Sequence, residues 1–99
     1  MAIIKAQIHL IKWGATMVLA DFFYIRQVKG SKSFVAVKLD KTETQDDRRE
    51  WATTDGTASA DMEVYPARET EDGYEIKFND RYQRADLWSG KRVSIDTYN

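Results

Sequence analysis

Two runs decide how this chain is read: Ala20-Asp21-Phe22-Phe23-Tyr24-Ile25-Arg26-Gln27-Val28 and Ser33-Phe34-Val35-Ala36-Val37-Lys38-Leu39, with Lys29-Gly30-Ser31-Lys32 between them. Both are rich in aromatic and β-branched residues, which suit a pleated, half-buried surface. Glycine at the first central position of a two-residue loop suits a type II′ turn, since only glycine takes that positive φ cheaply. The pair therefore reads as a β-hairpin, with Lys29 opposite Lys32 beside the turn. A helix over 17–25 is disfavoured because Phe22, Phe23 and Tyr24 in succession crowd the preceding turn.

Strand signals continue on both sides. Ile4, Ala6, Ile8 and Leu10 alternate with Lys5, Gln7 and His9, a period-two pattern that predicts a half-buried strand over 3–11. Lys12-Trp13-Gly14 reads as a turn that interrupts it. Further on, Asp72-Gly73 predicts a type I′ hairpin whose second strand presents Tyr74, Ile76 and Phe78 on its apolar face. Pro66 is expected at a strand edge or at the first residue of its run, because proline cannot donate to a ladder. A last hairpin is expected to turn at Ser89-Gly90, with Val93 and Ile95 pointing inward. Between these lies a charged excursion over about 40–61, read as a long loop with one helical turn around Asp46–Trp51. About six short strands with frequent turns predict one all-β domain over 1–99, a small antiparallel SH3-like barrel, with an OB-like barrel as the alternative.

The 99 residues include no cysteine, so disulfides and thiolate metal sites are ruled out. The longest apolar run, Met17 to Ile25, is short for a membrane span and is broken by Asp21. With no signal-peptide layout, a cytoplasmic setting is expected. The net charge of −1 conceals an asymmetry. Residues 1–39 carry six Lys/Arg and one acid, a net of +5; residues 40–86 carry seven Lys/Arg and 14 acids, a net of −7. The simplest expectation is that the two parts neutralise each other across the fold.

Two tryptophan motifs support a resemblance. Trp13-Gly14, six residues, then Asp21-Phe22-Phe23 precede the first hairpin, which continues through Val28, Ser33, Val35 and Val37; Leu87-Trp88-Ser89-Gly90-Lys91 precedes a short strand ending near Thr97-Tyr98. In these stretches the chain resembles a diffuse group of small uncharacterised proteins of bacteriophages, prophages and plasmids. Ala15-Thr16-Met17-Val18-Leu19 is apolar where that group often has a polar stretch. The resemblance implies a mobile-element origin and the host cytoplasm, and no particular activity.

Catalytic signatures are weak. His9 is the one histidine, and it lies mid-strand where a structural role is the ordinary one. One histidine without cysteines does not make a zinc site, and the spacing of Asp46, Asp47, Asp55, Asp61 and Glu63 matches no calcium loop. No Gly-rich phosphate loop is present. The expectation is a non-enzymatic module, without cofactor or metal, that binds a host or phage macromolecule, protein rather than nucleic acid. A nucleic-acid surface would draw on Lys12, Trp13, Arg26, Lys29, Lys32, Lys38, Lys91 and Arg92, against which stands a sequence pI of about 5.8. A further alternative is an acidic inhibitor of a host defence nuclease complex (anti-CRISPR-like), its carboxylates drawn from 40–86 and Trp51 beside Arg48 and Arg49 as anchor. Against that anchor role, large aromatics are mostly buried, so Trp51 is expected to fold back as a lid on the barrel. Trp88 is expected in the core, while Trp13 reads equally as barrel plug or exposed platform.

Overall fold

A computed structural model of the chain describes residues 8–14, 17–27, 34–46, 49–61 and 63–96. It contains nine strands: β1 (Ile8–Trp13), β2 (Leu19–Gln27), β3 (Phe34–Lys38), β4 (Thr42–Asp46), β5 (Arg49–Thr53), β6 (Val64–Thr70), β7 (Gly73–Phe78), β8 (Arg81–Leu87) and β9 (Val93–Ile95). Six close into an antiparallel barrel in the order β1-β2-β3-β6-β7-β8, and the other three form a sheet in the order β4-β5-β9. The all-β class and the small antiparallel barrel follow the expectation. No helix is present among the described residues, and none is long and apolar enough to cross a membrane.

The double burial of β2 explains the Phe22-Phe23-Tyr24 run. Along β1 and β2 one set of alternate side chains points into the barrel. There Ile11, Phe23 and Ile25 meet Ala36, Ala67, Ile76, Phe78 and Ala85, all buried. The other set, Ile8, Leu10, Ala20 and Phe22, points outward and is covered by Leu39, Ala52, Trp88 and Ile95. The three-stranded sheet thus roofs the outer face of β1–β2. A strand buried on both faces reads as a continuous apolar run.

The first hairpin has the expected register. Its described rungs run from Phe23 opposite Lys38 to Gln27 opposite Phe34, the pairing that a two-residue connection at Gly30-Ser31 implies. The turn itself, with Lys29 and Lys32, lies outside the described residues, as does the start of the alternating run before Ile8. β1 does not stop at Lys12: it continues to Trp13, which faces Leu19. The strand persists because Trp13 still has a place on the barrel side of the sheet.

Four expectations are corrected. The excursion over 40–61 holds no helical turn around Asp46–Trp51. Thr42–Asp46 and Arg49–Thr53 pair as a hairpin, and the return segment is tied to the barrel by backbone bonds from Asp40 N–H to the Thr57 carbonyl (2.8 Å) and from Ser59 N–H to the Lys38 carbonyl (2.9 Å). The strand is favoured there because Ala52 is wholly buried on one face while Trp51 sits on the other. Ser89-Gly90 closes no hairpin: β8 pairs with β7 and β1, while β9 crosses over to pair with β5. Asp72-Gly73 is displaced by one residue: Thr70 faces Gly73, Glu71-Asp72 form the turn centre, and neither has positive φ. The left-handed pair belongs instead to Asn79-Asp80, at φ 57° and 64°, between the facing residues Phe78 and Arg81. That is type I′ chemistry, and asparagine and aspartate tolerate it best after glycine. Pro66 also departs from expectation: it is the third residue of β6, a strand paired on both flanks, and faces Val35 of β3; the one relief is that the ladder with β7 begins only at Ala67.

Candidate functional site

The two tryptophan motifs are latches. Trp13 Nε1–H donates to Asp21 Oδ2 at 2.7 Å, joining the two halves of the first motif across the β1–β2 turn. Gly14 between them has φ 121°, and a Cβ there would come within 2.0 Å of the Met17 carbonyl oxygen. In the second motif Trp88 is buried edge-on to Phe22 (centroids 5.2 Å), its Nε1–H donates to the Lys91 carbonyl at 2.7 Å, and its backbone N–H donates to the Ile8 carbonyl at 2.8 Å. These contacts fix the crossover from barrel to sheet. Trp88 is core, as expected.

Asp21 is the one buried acid among the described residues, 3% exposed at one mouth of the barrel. Besides Trp13 it meets Lys41 Nζ at 3.2 Å and Lys38 Nζ at 4.0 Å. Lys38 in turn binds Glu63 at 3.1 Å, and the Tyr65 hydroxyl donates to Glu63 at 3.1 Å. For Lys38, burial pulls the pKa down, but the hydrogen bond to Glu63 and the charges of Asp21 and Glu63 outweigh it and hold it above the usual lysine value. The bonds from Lys38 and Tyr65 hold the Glu63 carboxyl below its usual value. Burial and the bond to Glu63 push the Tyr65 hydroxyl up. Every charge here has a counter-charge, so the cluster braces the mouth. Lys38–Glu63 also joins the basic first segment to the acidic second, as the charge asymmetry suggests.

The remaining sequence candidates separate. Lys29, Lys32 and Arg48 lie outside the described residues. Lys91 is exposed beside the Trp88 latch. Arg49, Trp51 and Arg92 meet on the solvent face of the small sheet. Arg92 stacks over the Trp51 ring at 4.0 Å and reaches Asp46 at 3.5 Å, and Asp46 faces Arg49 across the hairpin. Trp51 is therefore no lid on the barrel. Ala52 takes the inward position of β5, and alternation leaves Trp51 outward, half-covered by Arg92. The basic set proposed for nucleic acid does not converge: Trp13 and Lys38 belong to the mouth cluster, Arg26 to the outer barrel face and Arg92 to the small sheet.

Arg26 leads to a surface that the sequence does not announce. Beside the roofed area, two neighbouring cross-strand rows lie on the outer barrel face: Tyr24–Val37–Val64, whose Tyr24 packs against the roofed core, and Arg26–Val35–Pro66. Val64 is 53% exposed, Pro66 and Arg26 are exposed, and Tyr24, Val35 and Val37 are half-buried. Five apolar side chains thus form one patch over three strands. Arg68, two residues beyond Pro66 on the same face, binds Glu75 at 2.7 Å and lies 3.9 Å over the Tyr82 ring. A concavity lined by Gln27, Phe34, Arg68 and Tyr82 adjoins it. Lys77 and Arg26 form no ion pair with a described residue. His9 packs edge-on to Tyr74 at 5.3 Å, and Tyr74 also lines this concavity. Among the described residues no three His, Asp or Glu side chains converge as metal ligands would.

No family model, curated protein or solved structure matches this chain.

Proposed function

We propose that this chain is a non-enzymatic accessory protein of a phage or other mobile element, acting in the host cytoplasm by binding a protein through the outer barrel face. The observation that carries the reading is the patch of Tyr24, Val35, Val37, Val64 and Pro66 with Arg26 at its rim. Small soluble proteins rarely leave a contiguous apolar face unless something docks on it. Apolar centres with polar rims are the anatomy of protein interfaces.

The chemistry of the patch favours protein over nucleic acid. Four of the five patch side chains are valine or proline, which offer no flat π-face on which a base can stack, and the one aromatic, Tyr24, is half-buried against the neighbouring core; single-strand binding relies on exposed aromatic platforms. Acid mimicry is less supported for a similar reason. The acids of 40–86 are interleaved with bases, as in Arg68–Glu75, Arg84–Asp86 and Arg92–Asp46, so no wholly acidic face is presented by these pairs. The mobile-element setting rests on the motif resemblance of Trp13-Gly14…Asp21-Phe22-Phe23 and Leu87-Trp88-Ser89-Gly90-Lys91.

The test is comparative capture from host and phage-infected lysates, with Val64→Glu and Arg26→Glu beside the unaltered chain. Both side chains are exposed, so the fold is retained. The expected result is a discrete protein recovered by the unaltered chain and lost with Val64→Glu. An identical captured set for both, or a salt-dependent oligonucleotide mobility shift that Arg26→Glu weakens, would overturn the reading.

A further inference from the structure

The two edges of the small sheet are treated differently. At the β9 edge, Val18 and Asp96 exchange reciprocal backbone hydrogen bonds, 2.7 Å and 2.8 Å, which cap it. β4, the other edge, pairs with β5 on one flank and with no described strand on the other, and all five of its residues are exposed. Its sequence, Thr42-Glu43-Thr44-Gln45-Asp46, contains no proline, glycine or lysine; the two charges that would guard the edge, Glu43 and Asp46, are each met within the chain, by Lys41 at 3.5 Å and by Arg92 at 3.5 Å.

We propose that β4 is the contact through which two copies of this chain pair, antiparallel, with Thr44 facing Thr44. The proposal rests on the edge strand and its charges, independently of the patch on the barrel. In a two-fold antiparallel pair, facing residues must share one face of the sheet, so the axis passes between two copies of one residue. Centring on Thr44 sets Glu43 opposite Gln45 and Thr42 opposite Asp46, each twice by symmetry. Every acid then faces a neutral hydrogen-bond donor, an amide or a hydroxyl. The neighbouring axes are worse. Centring on Glu43 sets Glu43 against Glu43; on Asp46, Asp46 against itself; on Gln45, only three residues of β4 pair and Glu43 is left outside the ladder. Like charges directly opposite destabilise a ladder. Centring on Thr42 uses only three residues of β4 and draws in Lys41, whose ammonium is held by Asp21 (3.2 Å) and the Ala20 carbonyl (2.9 Å). The two acids thus select one register. The product is a six-stranded sheet, β9-β5-β4 continued by its symmetry mate, carrying a Trp51–Arg92 pair on each half.

The absence of cysteine makes a clean test possible. Thr44→Cys, Thr42→Cys and Asp46→Cys each introduce a single thiol at an exposed position. Under mild oxidation, T44C is expected to form the disulfide-linked dimer at least about tenfold faster than T42C or D46C, because pairing raises the effective concentration of the facing thiols. An equimolar mixture of T42C and D46C is expected to yield the mixed dimer in preference to either homodimer. Light scattering of the unaltered chain is expected to show dimer at the crosslinking concentration, and Gln45→Glu, which sets acid against acid twice, is expected to shift it to monomer. Equal rates for the three thiols, or an unaltered chain that stays at the 11.5 kDa monomer mass, would overturn the proposal.

Discussion

At the residue scale the first tryptophan motif has a mechanical meaning. Trp13 and Asp21 hold the β1–β2 turn through a 2.7 Å bond, and Gly14 lets the chain pass where no Cβ fits. Asp21→Asn leaves Lys41 and Lys38 without their buried counter-charge, and both are exposed enough to turn to water, so the expected loss is about 1–3 kcal/mol in urea unfolding. Gly14→Ala places a side chain at φ 121° against the Met17 carbonyl, and a loss of more than about 1 kcal/mol is expected in the same measurement. Glu63 supplies a pH dependence. Its pKa is depressed in the folded chain by Lys38 and Tyr65, so its contribution is present above the unfolded glutamate range, near 4.3, and disappears as pH falls through the folded value. Glu63→Gln should lower the urea midpoint at neutral pH, with the gap to the unaltered chain closing in acid. For Lys38 the pKa is raised, so its share persists below the unfolded lysine value and is lost in strong base.

At the element scale, legibility tracked local chemistry. The β2–β3 hairpin was readable because both strands are apolar and alternate around Gly30-Ser31. β5 was not: Arg49-Glu50-Trp51-Ala52-Thr53 buries only Ala52 and so reads as charged loop, and Arg81-Tyr82-Gln83-Arg84-Ala85-Asp86-Leu87, which buries only Ala85, is legible only as the strand leading into the expected Ser89-Gly90 turn, with its true partners hidden. The crossover of β9 to β5 is non-local, and Ser89-Gly90 mimics the turn of a hairpin that does not form. The Asn79-Asp80 turn carried a usable signal, two αL-tolerant residues between Phe78 and Arg81, overshadowed by the stronger Asp72-Gly73 pair. This turn gives a stabilising prediction. Asp80→Gly relieves a side chain held at φ 64° and is expected to raise thermal stability by about 0.5–1 kcal/mol.

At the scale of the whole molecule, β1 and β2 are shared by two cores. Phe22 and Phe23 are adjacent in sequence and both 0% exposed, one under the sheet and the other within the barrel. Either truncation should therefore weaken the whole molecule. Phe22→Ala and Phe23→Ala are each expected to cost about 3–5 kcal/mol, with sheet and barrel still melting in one transition by hydrogen exchange and circular dichroism. The candidate binding surface also exists only at this scale. Val35, Val37, Val64 and Pro66 come from two strands that are distant in sequence, and in the linear chain each looks like ordinary strand filling. The basic hairpin and the acidic excursion were visible as charge, but charge alone did not say which faces would be roofed and which left open. The most direct measurement places a photo-crosslinking residue at position 64 and, in a separate chain, at position 49 on the small sheet. On irradiation in infected cells, position 64 is predicted to give one discrete adduct with another protein, and position 49 none other than with a second copy of this chain. A nucleic-acid adduct at position 64, or an adduct with another protein at position 49 alone, would contradict the account.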